Sequence, residues 1–168
     1  MADIYKAVDW AITIAQDAAH GYDQEHRNGP DYDCSSFVST ALAVGGFDIS
    51  CFSWTGNMLP QLLGQGFTQI PLDAERRAGD IFLNVRHHVV MCVDQNQIVQ
   101  ASINENGGIT GGRTGDQTGH EIAICPFYWY THGWDYHLRP PKESYLPQDP
   151  PKQRRKVVIK ICRGTPKN

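Results

Sequence analysis

The chain has 168 residues, 40% of them apolar and 20% charged, with a mean hydropathy of -0.43, which is room for one compact domain and little more. Its net charge of -3 hides an asymmetry: seven Lys or Arg and no acid occur from Lys152 onward, leaving eight basic against eighteen acidic residues in 1–151. So acidic a body is a poor match for nucleic acid, whose affinity rests on cationic contacts to phosphate, and no apolar run approaches the ~20 residues that span a bilayer.

Residues 1–10 lack a basic stretch followed by an apolar core, so they do not read as a signal peptide. Ile4, Val8, Ala11, Ile12, Ala15 and Ala19 recur at helical spacing, which predicts a helix over 4–19 with Asp3 as N-cap and Gly21 beyond its end. Residues 22–33 form a loop with a turn at Asn28-Gly29-Pro30. A second helix starts near Cys34, capped by Asp33, burying Phe37, Val38, Ala41 and Leu42, and stopping at Gly45-Gly46. A short third helix is expected over 55–64, with Pro60 limiting its regularity.

From Phe67 the pattern changes to short β runs near 67–70, 80–85, 87–94, 97–103, 121–125 and 134–139, with a Gly-rich loop of functional length over 104–120. Helices first and strands afterwards predict an α+β domain with segregated layers. That domain is expected to fill 1–140. Five prolines over 140–153 make 141–153 a linker, and 154–168 is a basic tail, either an edge strand or the start of a further domain.

The five cysteines, Cys34, Cys51, Cys92, Cys125 and Cys162, are odd in number and form no Cys-x-x-Cys pair; most read as small buried hydrophobes in a reducing compartment. Cys34 differs because it opens a helix, where unpaired N–H groups and the dipole stabilise a thiolate and are expected to lower its pKa. A thiol nucleophile needs a base. His88 heads an apolar strand and titrates near neutrality; strand alternation turns its neighbour His87 to the other face. Gln100 is the candidate to orient the imidazole. It shares a face with His88 only if the connection after Val93 has three residues, pairing Val93 with Gln97 and Val90 with Gln100. Asn104 and Glu105 are the alternatives.

These residues carry a family resemblance. Tyr22, Asp33-Cys34-Ser35-Ser36-Phe37-Val38, Gly79-Asp80-Ile81, His88-Val89-Val90-Met91 and Ile98-Val99-Gln100-Ala101-Ser102 resemble, in that order, the NlpC-type papain-like cell-wall cysteine peptidases. Arg27-Asn28-Gly29-Pro30 ahead of the cysteine, the Asn104–Gly119 segment and Trp134–Arg139 resemble the phage endolysins of the peptidoglycan amidohydrolase group. The resemblance implies a papain-like fold, N-terminal helices on a mostly antiparallel sheet. It implies Cys34 as nucleophile, His88 as base and Gln100 as third residue, with Tyr22, Asp33, Ser35, Asn104 and Glu105 around the substrate and oxyanion. Many relatives carry His in place of Gln100.

The implied reaction is hydrolysis of an amide in bacterial peptidoglycan without metal or cofactor. A D-glutamyl endopeptidase is the first expectation, an N-acetylmuramoyl-L-alanine amidase the alternative, and a non-catalytic wall-binding module the further alternative. The implied enzyme is a monomer made in the host cytoplasm without a signal peptide, acting on the wall after release. Neither nucleic acid nor membrane is a partner, and a C-terminal wall-binding domain would lie outside the chain.

Rival constellations are weaker. Gly107, Gly112, Arg113 and Thr114 approach a phosphate-binding loop, but no helix should follow them; a mobile loop beside the substrate groove fits better. His88 and Cys92 would lie ~13 Å apart along a strand, too far to share one zinc ion. Asp80 after Gly79 reads as a turn residue rather than half of a glycosidase pair. The aromatic run Phe127–Tyr130 with Trp134 and Tyr136 reads as core plus loop cover.

Overall fold

The computed structural model describes residues 1–145. Three helices come first: α1 (Ile4–Ala15), α2 (Cys34–Val44) and α3 (Thr55–Gly64). Six strands follow: β1 (Thr68–Ile70), β2 (Ile81–Asn84), β3 (His88–Cys92), β4 (Gln97–Ala101), β5 (Ile122–Pro126) and β6 (Tyr136–Arg139), then a 3-10 turn at Lys142–Tyr145. The strands form one antiparallel sheet in the order β1-β6-β2-β3-β4-β5. The α+β class with segregated layers is therefore the architecture observed.

The starts of α1 and α2 have a visible cause. The Asp3 carboxylate accepts from the Tyr5 and Lys6 amides, and Asp33 accepts from Ser36 N–H while Ser36 Oγ accepts from Asp33 N–H. Helix α1 stops at Ala15, four residues earlier than its apolar spacing predicts. There Asp17 takes the Ala19 amide on its own side chain (2.9 Å), offering the backbone a turn in place of another helical bond.

Strand alternation gives the sheet two buried faces. Ile81, Leu83, Val89, Met91, Val99, Ala101, Ile122, Ile124 and Leu138 point toward α1 and α2 and join the main core. Phe82, Val90, Cys92, Ile98 and Cys125 point the other way, beneath Trp134, Phe127, Tyr128 and Tyr130. The aromatic run is thus a cover for the second face, as its composition indicated.

Two features lie beyond what the sequence indicated. Asp80 is fully buried, and its carboxylate meets His137 Nε2 (2.7 Å) and accepts from Arg139 Nη2 (2.7 Å), Arg139 Nε (3.1 Å) and the Arg77 amide (3.0 Å). It is an ionic staple between the start of β2 and β6, not merely a turn residue. Lys142–Tyr145, expected in the linker, folds back instead: Tyr145 donates its hydroxyl to Ala78 O (2.8 Å) and packs edge-on against Tyr5. The domain therefore extends past residue 140; the rest of the expected linker and the basic tail 154–168 lie outside the described residues.

The Gly-rich loop is tied to the 18–31 segment. Gln24 N–H donates to Ile109 O (2.8 Å), Gly115 N–H to Asp31 Oδ1 (3.0 Å), Asp116 N–H to Ala18 O (2.8 Å) and Tyr22 N–H to Glu121 Oε2 (2.9 Å). Gly21 and Gly115 approach so closely that a Cβ on Gly21 would lie 2.3 Å from the Gly115 carbonyl oxygen. The loop expected to be mobile is laced to the segment that carries Tyr22.

Candidate active site

Cys34 is the first residue of α2, and its surroundings are fixed by the cap. The Asp33 carboxylate that holds the Ser36 amide (2.7 Å) also accepts from Ser35 Oγ (3.0 Å) and from Arg27 Nη2 (3.2 Å). Arg27 Nε lies 2.7 Å from Asp33 Oδ2 as an ion pair, although its N–H is not aimed along a hydrogen bond. The same guanidinium donates to Ser35 Oγ (2.9 Å), to the Ser53 carbonyl and to the Phe52 carbonyl (3.4 Å). One arginine thus ties the turn before α2 to the link before α3.

The Cys34 sulfur accepts from the amides of Ser35 and Val89. The Val89 bond follows from the sheet. Strands β3 and β4 pair at Met91↔Val99 and Cys92↔Ile98 and no further toward His88. In an antiparallel ladder the N–H groups of one strand alternate sides. Val93 N–H reaches Gln97 O on the β4 side, so Val89 N–H points to that side too, where the ladder has already ended. The thiol from the helix layer takes the position a strand carbonyl would otherwise hold.

His88 stands on the opposite face, one residue from that bond. The connection after Val93 does have three residues, since Val93 N–H donates to Gln97 O (2.9 Å), and the register then places Gln100 with His88. His88 Nε2 lies 2.8 Å from Gln100 Oε1, which also accepts from Tyr128 Oη at 2.7 Å. An amide oxygen can only accept. Nε2 therefore carries the proton, and Nδ1 keeps the lone pair a base needs. Trp134 stacks near the ring (centroids 6.1 Å apart), Tyr130 tilts over it (5.5 Å), and Trp134 Nε1 fixes the run by donating to Tyr128 O (3.1 Å).

Burial sets the protonation of both groups. It pushes the Cys34 thiol up, the Asp33 carboxylate adds to the rise, and the amides of Val89 and Ser35 and the Arg27 charge only partly oppose it, leaving the thiol at about 12. Burial also lowers the His88 pKa, with the Gln100 bond acting the other way. The expected lowering of the cysteine by its helix start is overturned: desolvation outweighs the dipole at a position only 8% exposed. Both shifts favour the uncharged forms, thiol and neutral imidazole.

The other expected residues divide. Tyr22 is buried, and the charges of Cys34 and Asp33, after burial itself, raise its hydroxyl pKa, as a phenol beside the sulfur should show. Burial first, and the Cys34 charge after it, also raise the hydroxyl pKa values of Tyr128 and Tyr130. Asp33 and Ser35 spend their side chains on the cap. Asn104 spends its amide on its own loop, accepting from Asn106 and Gly108 N–H (both 3.0 Å) and donating to Thr110 O (3.0 Å). Glu105 accepts from Arg113 N–H (2.7 Å). These two staple the loop, and Gln100 holds the place beside the imidazole for which they were alternatives.

Arg27 and Tyr128 lie in segments that the residue patterns mark, but those patterns give neither a role in the site. Each acts through contacts distant in sequence, and neither lies in a periodic pattern. A cavity of about 840 Å³ lined by Tyr5, Arg77, Val93, Arg139 and Tyr145 includes none of the residues around Cys34.

With this geometry in place, comparison with known proteins adds a class. Residues 98–148 match the family model of the endolysin-like domain, a range that includes Gln100, the Gly-rich loop and the aromatic cover. The similarity covers under a third of the chain. Among solved structures, the P60 domain of an antigen from M. avium subspecies paratuberculosis is similar at 19% identity and a TM-score of 0.48, over 82% of this chain and 96% of that one. No curated protein matches the chain in sequence.

Proposed function

We propose that the chain is a peptidoglycan hydrolase that cleaves an amide of the wall's stem peptide, most specifically a D-glutamyl bond, with Cys34 as nucleophile and His88 as base. What supports this reading is a cysteine at the head of α2, near the Val89 amide where the β3–β4 pairing ends, together with a histidine on β3 whose Nε2 lies 2.8 Å from Gln100 Oε1.

In the proposed reaction the neutral thiol loses its proton to His88 Nδ1 as the sulfur attacks the scissile carbonyl carbon. The oxyanion forms near the Cys34 amide at the head of α2, where helix N–H groups favour negative charge. The imidazolium then protonates the departing amine as the C–N bond breaks, leaving a thioester on Cys34. Water, giving a proton to His88, attacks that thioester and releases a carboxylate and the restored thiol. Gln100 and Tyr128 hold the ring through both halves.

The test is Cys34→Ala, which should abolish the fall in turbidity of a bacterial wall suspension while leaving the melting transition in place. Full activity in that variant would refute the assignment. Mass spectrometry of the released fragments identifies the bond: a free amine on the residue after D-glutamate supports the endopeptidase, and a free L-alanine amine the amidase. Alkylated protein that still binds wall but never cut it would indicate a binding module.

A further inference from the structure

The link between α2 and α3 presents two aromatic side chains on a fixed mount. Phe52 is 68% and Trp54 58% exposed, while Ser53 between them is fully buried. Ser53 donates its hydroxyl to Ser50 O (2.6 Å) and Gln61 Oε1 (3.0 Å), and its carbonyl accepts from Arg27. Trp54 N–H donates to Asn57 Oδ1 (2.9 Å). The benzo ring of Trp54 fills the space a side chain at Gly56 would need: a Cβ there would lie 2.1 Å from Cζ3 and 2.2 Å from Cη2. The indole is therefore held against glycine backbone with more than half its surface in water.

We propose that Phe52 and Trp54 form a stacking site for a pyranose ring of the wall glycan, on the strand whose peptide lies at Cys34. This rests on the peptidoglycan reading and deepens it. The occupant follows from size and mounting. An aromatic side chain offers roughly 150–250 Å² in all, and specific protein interfaces bury about 1,200–2,000 Å². Two such rings suit a flat ligand with an apolar C–H face and a polar rim. The Arg27 guanidinium that donates to the Phe52 and Ser53 carbonyls also donates to Asp33 and Ser35, so the platform and the turn that carries Cys34 share one anchor. The seating of the Trp54 ring on Gly56 spares the ligand the ordering cost of an exposed indole.

The experiment compares purified wall with a synthetic sugar-free stem peptide, using the full chain, Trp54→Ala, Phe52→Ala and Gly56→Ala. Loss of one stacking partner should lower the ratio of wall to peptide kcat/KM by about tenfold in Trp54→Ala. Gly56→Ala keeps the indole but displaces it, and should lower the same ratio. Equal losses on both substrates, or no change on either, overturn the proposal. So does a dimer in sedimentation that Trp54→Ala dissolves. If the wild-type chain leaves the sugar-free peptide intact, or cleaves neither substrate and so fails the peptidoglycan reading, titration with chitotetraose decides alone. Tryptophan quenching present in the wild type and lost in Trp54→Ala supports the site; absence of quenching in the wild type overturns it.

Discussion

Gln100 concentrates the chemistry of a single residue. Its oxygen takes both the His88 and the Tyr128 bond, so one substitution removes the tautomer lock and the tether to the aromatic cover. Gln100→Leu should lower kcat about a hundredfold, the scale of a misplaced catalytic group; Tyr128→Phe, which leaves the His88 bond, should cost less. The pH profile separates positioning from damage. Activity needs neutral His88, so it falls as pH drops through the imidazole pKa, which burial places below the usual histidine range. The Gln100 bond raises that pKa, so its loss should move the acidic limb to still lower pH. A limb that stays in place, or moves up, contradicts the arrangement. The thiol gives a second readout. Because Cys34 is held near 12, its alkylation by iodoacetamide should keep rising with pH above the ~8.5 of a free thiol. A plateau below pH 7 would mean that the thiolate is preformed. How far these features were legible differs by residue. Strand parity made Gln100 a neighbour of His88 on one condition, a three-residue connection after Val93, and the observed register meets it. Tyr128 reaches the same oxygen from 28 residues away, and Arg27 meets Asp33 across an irregular loop, so no periodic pattern shows the contact of either.

At the scale of elements, the type of every helix and strand within the described residues was readable, because apolar spacing changes from a helical to an alternating period after α3. Ends were less readable: Asp17 stops α1 through a local side-chain bond that competes with apolar periodicity. The Asp80 staple shows what periodicity omits. It holds β2 and β6 together through His137 and Arg139, and His137 Nδ1 lies 3.1 Å from Pro71 O just after β1. Asp80→Ala should destabilise the fold by about 3–5 kcal/mol, since it strands a buried charge. The Asp80 pKa is lowered despite burial, because the His137 and Arg139 bonds favour the charged form. A depressed carboxyl pKa contributes stability that is present above the unfolded value of ~3.9 and lost as pH falls through the folded value. Urea unfolding of wild type and variant should therefore differ at pH 7 and converge toward pH 2. A constant gap would remove the ionic explanation.

For the whole molecule, the sheet buries both faces by different means, helices on one side and an aromatic segment on the other. The acidic composition of 1–151 and the α+β order were visible from counting; the folding back of Lys142–Tyr145 was not, because prolines there signal a linker. Tyr145→Ala in the full chain tests this closure. Losing a packed aromatic with its hydroxyl bond should cost about 2 kcal/mol in thermal unfolding, whereas a plain linker residue would cost nothing.

The unzipped end of the β3–β4 ladder has a consequence for how such a protein fails. Cys34 and His88 stand on opposite faces of the sheet, and in the proposed reaction they would meet only through a slit where β3 and β4 stop pairing. Substitutions that tempt those strands to add one more rung would shut the slit, silencing the chemistry in a chain that melts higher than its parent and has lost none of its reactive groups.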